Sequence, residues 1–266
     1  MIHLTREVRF NLVPGGGQRP LTNSWGGWPS ATVISPSLVM RCELSGELEP
    51  DSGYLCNIKL IDDAIRDRVI RYCCDQNPTM TAEQIVRFGM QQLAKGFPPN
   101  CQMERLQLCV TPTLDYSIHR KDDPMIQLTQ QFEFSASHRL HNPSLTDEEN
   151  QRVFGKCNNP HGHGHNYVLM VTVEGNPDQG ASLIPLEEFE VSVKRDVIDL
   201  LDHKHLNVEV AAFRDRNPSV ENIAMVIWTM LETSIRKLGE GKARLARVRV
   251  YETPKTWADY FGPSVG

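Results

Sequence analysis

The feature that most constrains this 266-residue chain is that it runs through the same series of segments twice. A repeat of this kind limits the fold more than any single motif does, and missing one misassigns the whole architecture. HLTREVRFNL, from His3, pairs with IQLTQQFEFSA, from Ile126, and both alternate apolar and polar residues as a half-buried strand does. SLVMRCELSGELEPDSG, from Ser37, pairs with NYVLMVTVEGNPDQG, from Asn166, each a strand running into a turn rich in Pro, Asp and Gly. IRDRVI, from Ile65, answers VKRDVI, from Val193, both within helically spaced stretches. NPTMTAEQIV, from Asn77, answers NPSVENIAMV, from Asn217, each with Thr or Ser before an amphipathic run and Glu close behind, a helix start. LQLCVTPT, from Leu106, finally matches VRVYETPK, from Val248, again as strands.

Strand, strand, helix, helix, strand, strand, read twice, predicts two tandem α+β domains of about 120–140 residues, each an antiparallel four-stranded sheet with two helices on one face. The first spans residues 1–120 and the second 125–266, joined by the charged HRKDDP from His119 to Pro124. Val220, Ile223, Ile227, Met230, Leu231 and Ile235 form the inward stripe of the last helix. PGGGQRP, from Pro14, and SWGGWP, from Ser24, read as one glycine-rich loop without the strand-then-helix setting of a phosphate cradle.

With 40% hydrophobic and 23% charged residues the chain has the composition of a globular protein. A net charge of -5 excludes a general attraction to nucleic acid or anionic membrane. No apolar stretch reaches the 18 residues or so that span a bilayer, and MIHLTREVRF carries charge where a signal peptide is apolar, so a cytoplasmic protein is expected. Seven cysteines with no C-x-x-C pair indicate reduced thiols, the six in the first half as small buried apolar groups and Cys157 alone in the second.

The chemistry is concentrated in FSASHRLHNPSLTDEENQRVFGKCNNPHGHGHNY, from Phe134 to Tyr167. Three neutral imidazoles with a fourth position open make a catalytic metal site. His163 and His165 are two apart at the entry to a strand, so their side chains share a face. His138 ends the preceding strand and supplies the third ligand if the two strands pair. His161 shares the alternation one step further out, facing solvent or the surroundings of the ligands.

FSASHRL, FGKC, CNNP with GHGHNY, LDHKHLN and the terminal VYET resemble, in order and spacing, the 6-pyruvoyltetrahydropterin synthase family. The resemblance covers the second half and implies a tunnelling fold (T-fold). It makes His138, His163 and His165 ligands of Zn2+ and Cys157 the catalytic base, a role a thiolate fills best beside positive charge. The alternative for Cys157 is a fourth, structural ligand. Asp202 and His203, in LDHKHLN, complete a proton-handling triad with Cys157 in the family, the carboxylate fixing the histidine tautomer. Glu252 matches the pterin anchor, where a carboxylate accepts two parallel N–H groups, and Thr253 assists. Ser219 and Glu221 stand where the family often has a Thr-Thr-Glu run that contacts substrate, with a departure at Val220. Arg139, Lys156 and Lys255 are candidate cations for the triphosphate.

The implied activity is conversion of 7,8-dihydroneopterin triphosphate to 6-pyruvoyltetrahydropterin with loss of triphosphate, as in tetrahydrobiopterin synthesis. The nearest alternative is 6-carboxytetrahydropterin synthase of the queuosine and deazapurine route, which also sheds acetaldehyde; the six-residue step from Cys157 to His163 resembles the pyruvoyl enzyme more. A third reading is a regulatory protein that binds zinc and pterin without turnover. Family members form rings of three stacked into hexamers with sites between subunits, so a homo-oligomer is implied, a trimer or larger that mimics a hexamer of single domains. In the first copy Pro14 stands opposite His138, Ile34 and Pro36 near His163 and His165, and Val110 opposite Glu252. That half is expected to keep the fold without the site.

Overall fold

In the first copy the alternating residues Val8, Phe10, Met40, Cys42 and Leu44 all turn to one side and are buried, which is what a period of two does when one sheet face meets water and the other a core. The computed structural model describes residues 1–12, 27–28, 35–76, 79–122, 124–178 and 181–263. The glycine-rich stretch, apart from Gly27 and Trp28, lies outside them, as do Pro14, Ile34, Asn77 and Pro78. The fold is α+β with antiparallel sheet pairing, and the chain divides into two compact units, 1–128 with 175–183 and 129–174 with 184–266. The division falls inside a strand, a few residues beyond the charged link.

In the first unit the order along the sheet is β1 (Ile2–Asn11), β2 (Ser37–Gly46), β3 (Cys101–Thr111), β4 (Leu114–His119). β1 and β2 pair from Ile2↔Gly46 to Asn11↔Ser37 without a break, whereas β2 and β3 shift register between Glu43 and Leu44. Helix α1 (Ile58–Ala64) continues into a π-helical stretch, Ile65–Ile70, and α2 (Ala82–Leu93) starts from a capping box in which Thr81 and Gln84 satisfy each other's backbone N–H. Ile61, Ile65, Val69, Val86, Met90 and Leu93 are the helix side of its core. Cys42, Cys56, Cys73 and Cys74 are buried as small apolar groups, while Cys101 and Cys109 are half-buried.

The second unit contains β5 (Ile126–His138), into which the boundary falls, then α3 (Asp147–Phe154), β6 (His163–Gly175) and α4 (Leu186–Val193). α4 runs through a π-helical stretch, Lys194–Ile198, into α5 (Asp199–Leu201). There follow β7 (Lys204–His205), α6 (Leu206–Glu209), α7 (Val220–Leu238), β8 (Ala243–Thr253) and β9 (Thr256–Tyr260). The sheet order is β5-β6-β8-β9, with β7 pairing parallel to β5. π-helical turns are rare, and here they interrupt the corresponding segments IRDRVI and VKRDVI. α7 buries Val220, Ile223, Ile227, Leu231 and Ile235, and Trp228 as well, whereas Met230, which the sequence places on the inward stripe, is only half-buried.

Three neighbouring strands of this unit carry inward rows of the same character. On β5 the row is Phe134, Ala136, His138; on β6 Leu169, Tyr167, His165, His163; on β8 Val248, Val250, Glu252. Each is apolar inside the unit and ends in an imidazole or a carboxylate at the same end of the sheet. Alternation alone therefore carries four polar side chains to one place.

Candidate metal centre

Ligand nitrogens of His138, His163 and His165 lie within 4.8 Å of one another. His138 Nε2 is 3.1 Å from His163 Nε2, near the separation of about 3.3 Å that two nitrogens take on one tetrahedral zinc-like ion. The rings stand at angles, with centroids 4.5–5.2 Å apart and tilts of 47–81°. They converge by edges rather than stacking.

His138 is wholly buried, and its Nδ1 donates a hydrogen bond of 2.6 Å to the carbonyl of Pro218, just ahead of α7. A carbonyl only accepts, so the proton is on Nδ1 and the Nε2 lone pair faces the other imidazoles. Burial pushes its pKa down to about 4, and the neighbouring histidines add to this against the Pro218 bond, so His138 is neutral near pH 7 as a ligand must be. His163 is also lowered, first by burial and then by His165. His165 Nε2 is buried without a hydrogen bond among the described residues. Orphaned buried nitrogens are costly, and a shared metal ion would satisfy them, so the donor set fits a single borderline-soft cation.

The segment after His138 is tied down by asparagines. Asn207 accepts from Arg139 N–H at 2.8 Å and donates to Arg139 C=O at 2.9 Å, and Asn217 accepts from His141 N–H at 2.9 Å. Asn150 is completely buried. It accepts from Asn142 N–H and donates to the carbonyls of Asn142, Leu145 and Thr146 at 2.8–3.1 Å. Asn150→Ala takes this partner from Asn142 N–H and Leu145 C=O, while the carbonyls of Asn142 and Thr146 keep the backbone N–H groups of Leu145 and Asn150. An expected loss of about 2–3 kcal/mol should appear as a lower denaturant midpoint at unchanged m-value. An unchanged midpoint would refute this reading of the clamp.

Cys157 sits in a 3-10 turn, Gly155–Asn158, held to this segment by Leu140 N–H donating to its carbonyl at 2.8 Å. Its sulfur is not among the converging donors, but it lines an open cleft of about 1260 Å³ with His163, His165, Arg139 and Lys156. Arg139 Nη2 donates to Asn158 Oδ1 at 3.0 Å, and His141 Nδ1 lies 3.1 Å from the same oxygen. Lys255 does not line the cleft and is exposed in the β8–β9 turn.

Glu252 Oε1 lies 3.4 Å from His138 Nε2 and 3.6 Å from His165 Nε2. The carboxylate also lines a depression with Thr253, Gln131 and Asn166. Thr253 Oγ1 accepts from Lys255 N–H at 3.2 Å, closing the turn into β9. Ser219 caps α7, its hydroxyl accepting from Asn222 N–H at 3.4 Å, while Val220 is buried and Glu221 is exposed in the first turn. The position where the family pattern is broken is thus a core position here.

Asp202 accepts from Ser135 N–H at 2.8 Å and from His203 Nδ1 at 2.7 Å, and these bonds hold its carboxyl below the ordinary range. With Nδ1 engaged, His203 has a side chain that is 83% exposed and a left-handed backbone (φ 56°). His203 lines a depression with Ser135, Asn166 and His205 that shares His165 with the Cys157 cleft, so within one chain His203 and Cys157 line different cavities.

The model of the 6-pyruvoyl tetrahydropterin synthase family matches residues 127–263. The 6-pyruvoyl tetrahydrobiopterin synthase of Drosophila melanogaster is 40% identical over 141 residues, 53% of this chain and 82% of the relative. That of Homo sapiens is 40% identical over 137 residues, 51% of this chain and 91% of the relative. The solved 6-pyruvoyl tetrahydropterin synthase of Caenorhabditis elegans aligns over 53% of this chain and 97% of its own, with 33% identity and a TM-score of 0.47. On this match, which spans more than half its length and every element around the three imidazoles, the chain belongs to the 6-pyruvoyl tetrahydropterin synthase family.

Proposed function

We propose that the chain is a zinc-dependent lyase that converts 7,8-dihydroneopterin triphosphate to 6-pyruvoyltetrahydropterin and triphosphate. The observation that carries this is the convergence of His138, His163 and His165 beside a thiol-bearing cleft, in a chain whose relatives bear the name of that synthase. His138, His163 and His165 hold the ion, which when bound supplies Lewis-acid polarisation of a substrate hydroxyl. Cys157 removes the proton from the adjoining carbon. Glu252, assisted by Thr253, accepts the paired N–H groups of the pterin edge, and its closeness to the imidazoles sets the distance from ring to reacting carbon chain. Ser219 and Glu221 contribute at the α7 start. Arg139 and Lys156, in the cleft with Cys157, meet the triphosphate.

Asp202 and His203 relay the proton for the Cys157 of a neighbouring chain, a reading supported by the exposed side chain of His203 and by the different cavities that His203 and Cys157 line within one chain. The chain is a tandem pair of T-fold domains, 1–120 and 125–266, assembling as a trimer or larger. Support for the tandem reading comes from matched π-helical stretches in both copies and from sheet orders of the same pattern. The first domain is scaffold: Val110 stands in the place of Glu252, and among the described residues the one cluster of metal-binding donors is in the second copy. A cytoplasmic location belongs to the same proposal; no described helix is long and apolar enough to cross a membrane. Incubating purified protein with 7,8-dihydroneopterin triphosphate tests the reading. Triphosphate with the pyruvoyl product supports it; acetaldehyde indicates the carboxy enzyme, and unchanged substrate a binding protein.

A further inference from the structure

β6 carries a second row on the face opposite the histidines. Asn166, Val168 and Met170 are alternate residues of it, and all three line the cavity of about 570 Å³ that Glu252 and Thr253 border. Val168 and Met170 are half-buried and apolar. Tyr251, from β8, adds an aromatic wall that is fixed in two ways: its hydroxyl accepts from Arg249 Nη1 at 3.1 Å, and its ring leans on Trp257 with centroids 5.3 Å apart at 38°. An apolar and aromatic recess of this size with a few polar groups suits a planar heteroaromatic ring.

The polar groups are of opposite kinds. A carboxylate such as Glu252 only accepts. Asn166 is exposed, and its amide has a set orientation: Ser135 Oγ donates to Oδ1 at 2.8 Å, leaving Nδ2 as a donor with no partner among the described residues. The cavity therefore offers a ligand both an acceptor and an uncommitted N–H donor.

We propose that Asn166 is a specificity-determining residue, donating from Nδ2 to the ring carbonyl of the bound pterin while Glu252 accepts the adjoining N–H pair. This rests on the pterin-lyase reading and deepens it. Round its edge a pterin presents an amino group, a ring N–H and a carbonyl, which is two donors followed by an acceptor. A carboxylate reads the two donors and leaves the carbonyl unread. An amide donor covers the third position, and a site built to hydrogen-bond a group discriminates against ligands that lack it.

Asn166→Asp separates the two ends of the amide. The carboxylate has the same shape and still accepts from Ser135 Oγ, but it has no N–H to give and sets negative charge against the carbonyl oxygen. In the metal-loaded full-length protein, calorimetric titration with 7,8-dihydroneopterin should give a Kd raised about 10-fold in Asn166→Ala, the effect of one lost hydrogen bond, and about 100-fold in Asn166→Asp. KM for the triphosphate should rise with Kd at nearly constant kcat, with metal content and Tm as in wild type. Wild-type affinity in Asn166→Asp would overturn the proposal, since the Ser135 bond would then be the whole role of the amide, and would leave the lyase reading intact. A lower kcat at unchanged KM, or metal loss or a lowered Tm in both variants, would also overturn it. If wild type does not turn over the triphosphate, the lyase reading fails and the proposal fails with it.

Discussion

His138→Ala should leave the protein unable to retain its metal, with affinity falling by more than about 100-fold, since even a lost partner of a ligand costs 10–100-fold. The ring is wholly buried, is oriented by the Pro218 carbonyl, and presents Nε2 at 3.1 Å from that of His163. Its removal takes away one of three donors, opens a cavity, and leaves Pro218 C=O unpaired. Metal content after dialysis should drop to background with turnover falling in parallel, while the apo variant still folds, because the apolar rows of Phe134, Leu169 and Val248 are untouched. Stoichiometric metal in His138→Ala would show that the imidazoles are not its ligands.

Cys157→Ala should do the opposite: metal stays stoichiometric and turnover falls by about 10²–10⁴-fold, the usual loss when a general base is removed. The thiol lines the cleft with His163 and His165, yet is not one of the donors gathered within 4.8 Å. The backbone around it is fixed by the Leu140 N–H bond to its carbonyl, so the substitution has little structure to disturb. Metal lost together with activity would make Cys157 a fourth ligand and remove it from the chemistry.

Much of this architecture is legible in the sequence because it stems from a period of two. His163, His165 and Tyr167 alternate along one strand, and His138 ends another, so pairing of β5 and β6 brings the imidazoles together. The helix starts at Thr81 and Ser219 are equally readable, since capping is local. The features that escape a sequence reading are made of backbone atoms or distant partners. The carbonyl that orients His138 belongs to a residue 80 positions away and leaves no trace in side-chain patterns. The sequence assigns no role to the side chains of Asn150, Asn207 or Asn217, yet their amides hold the backbone of the segment after His138. The π-helical stretches have no composition of their own, although the repeat marks where they fall.

The proposed chemistry depends on three imidazoles binding one catalytic metal ion at the end of the second unit's sheet. Anomalous diffraction from crystals of the purified protein, recorded on either side of the zinc edge, tests this most directly. One peak per chain is expected, at bonding distance from Nε2 of His138, His163 and His165. No peak there, or the only peak elsewhere, would contradict it.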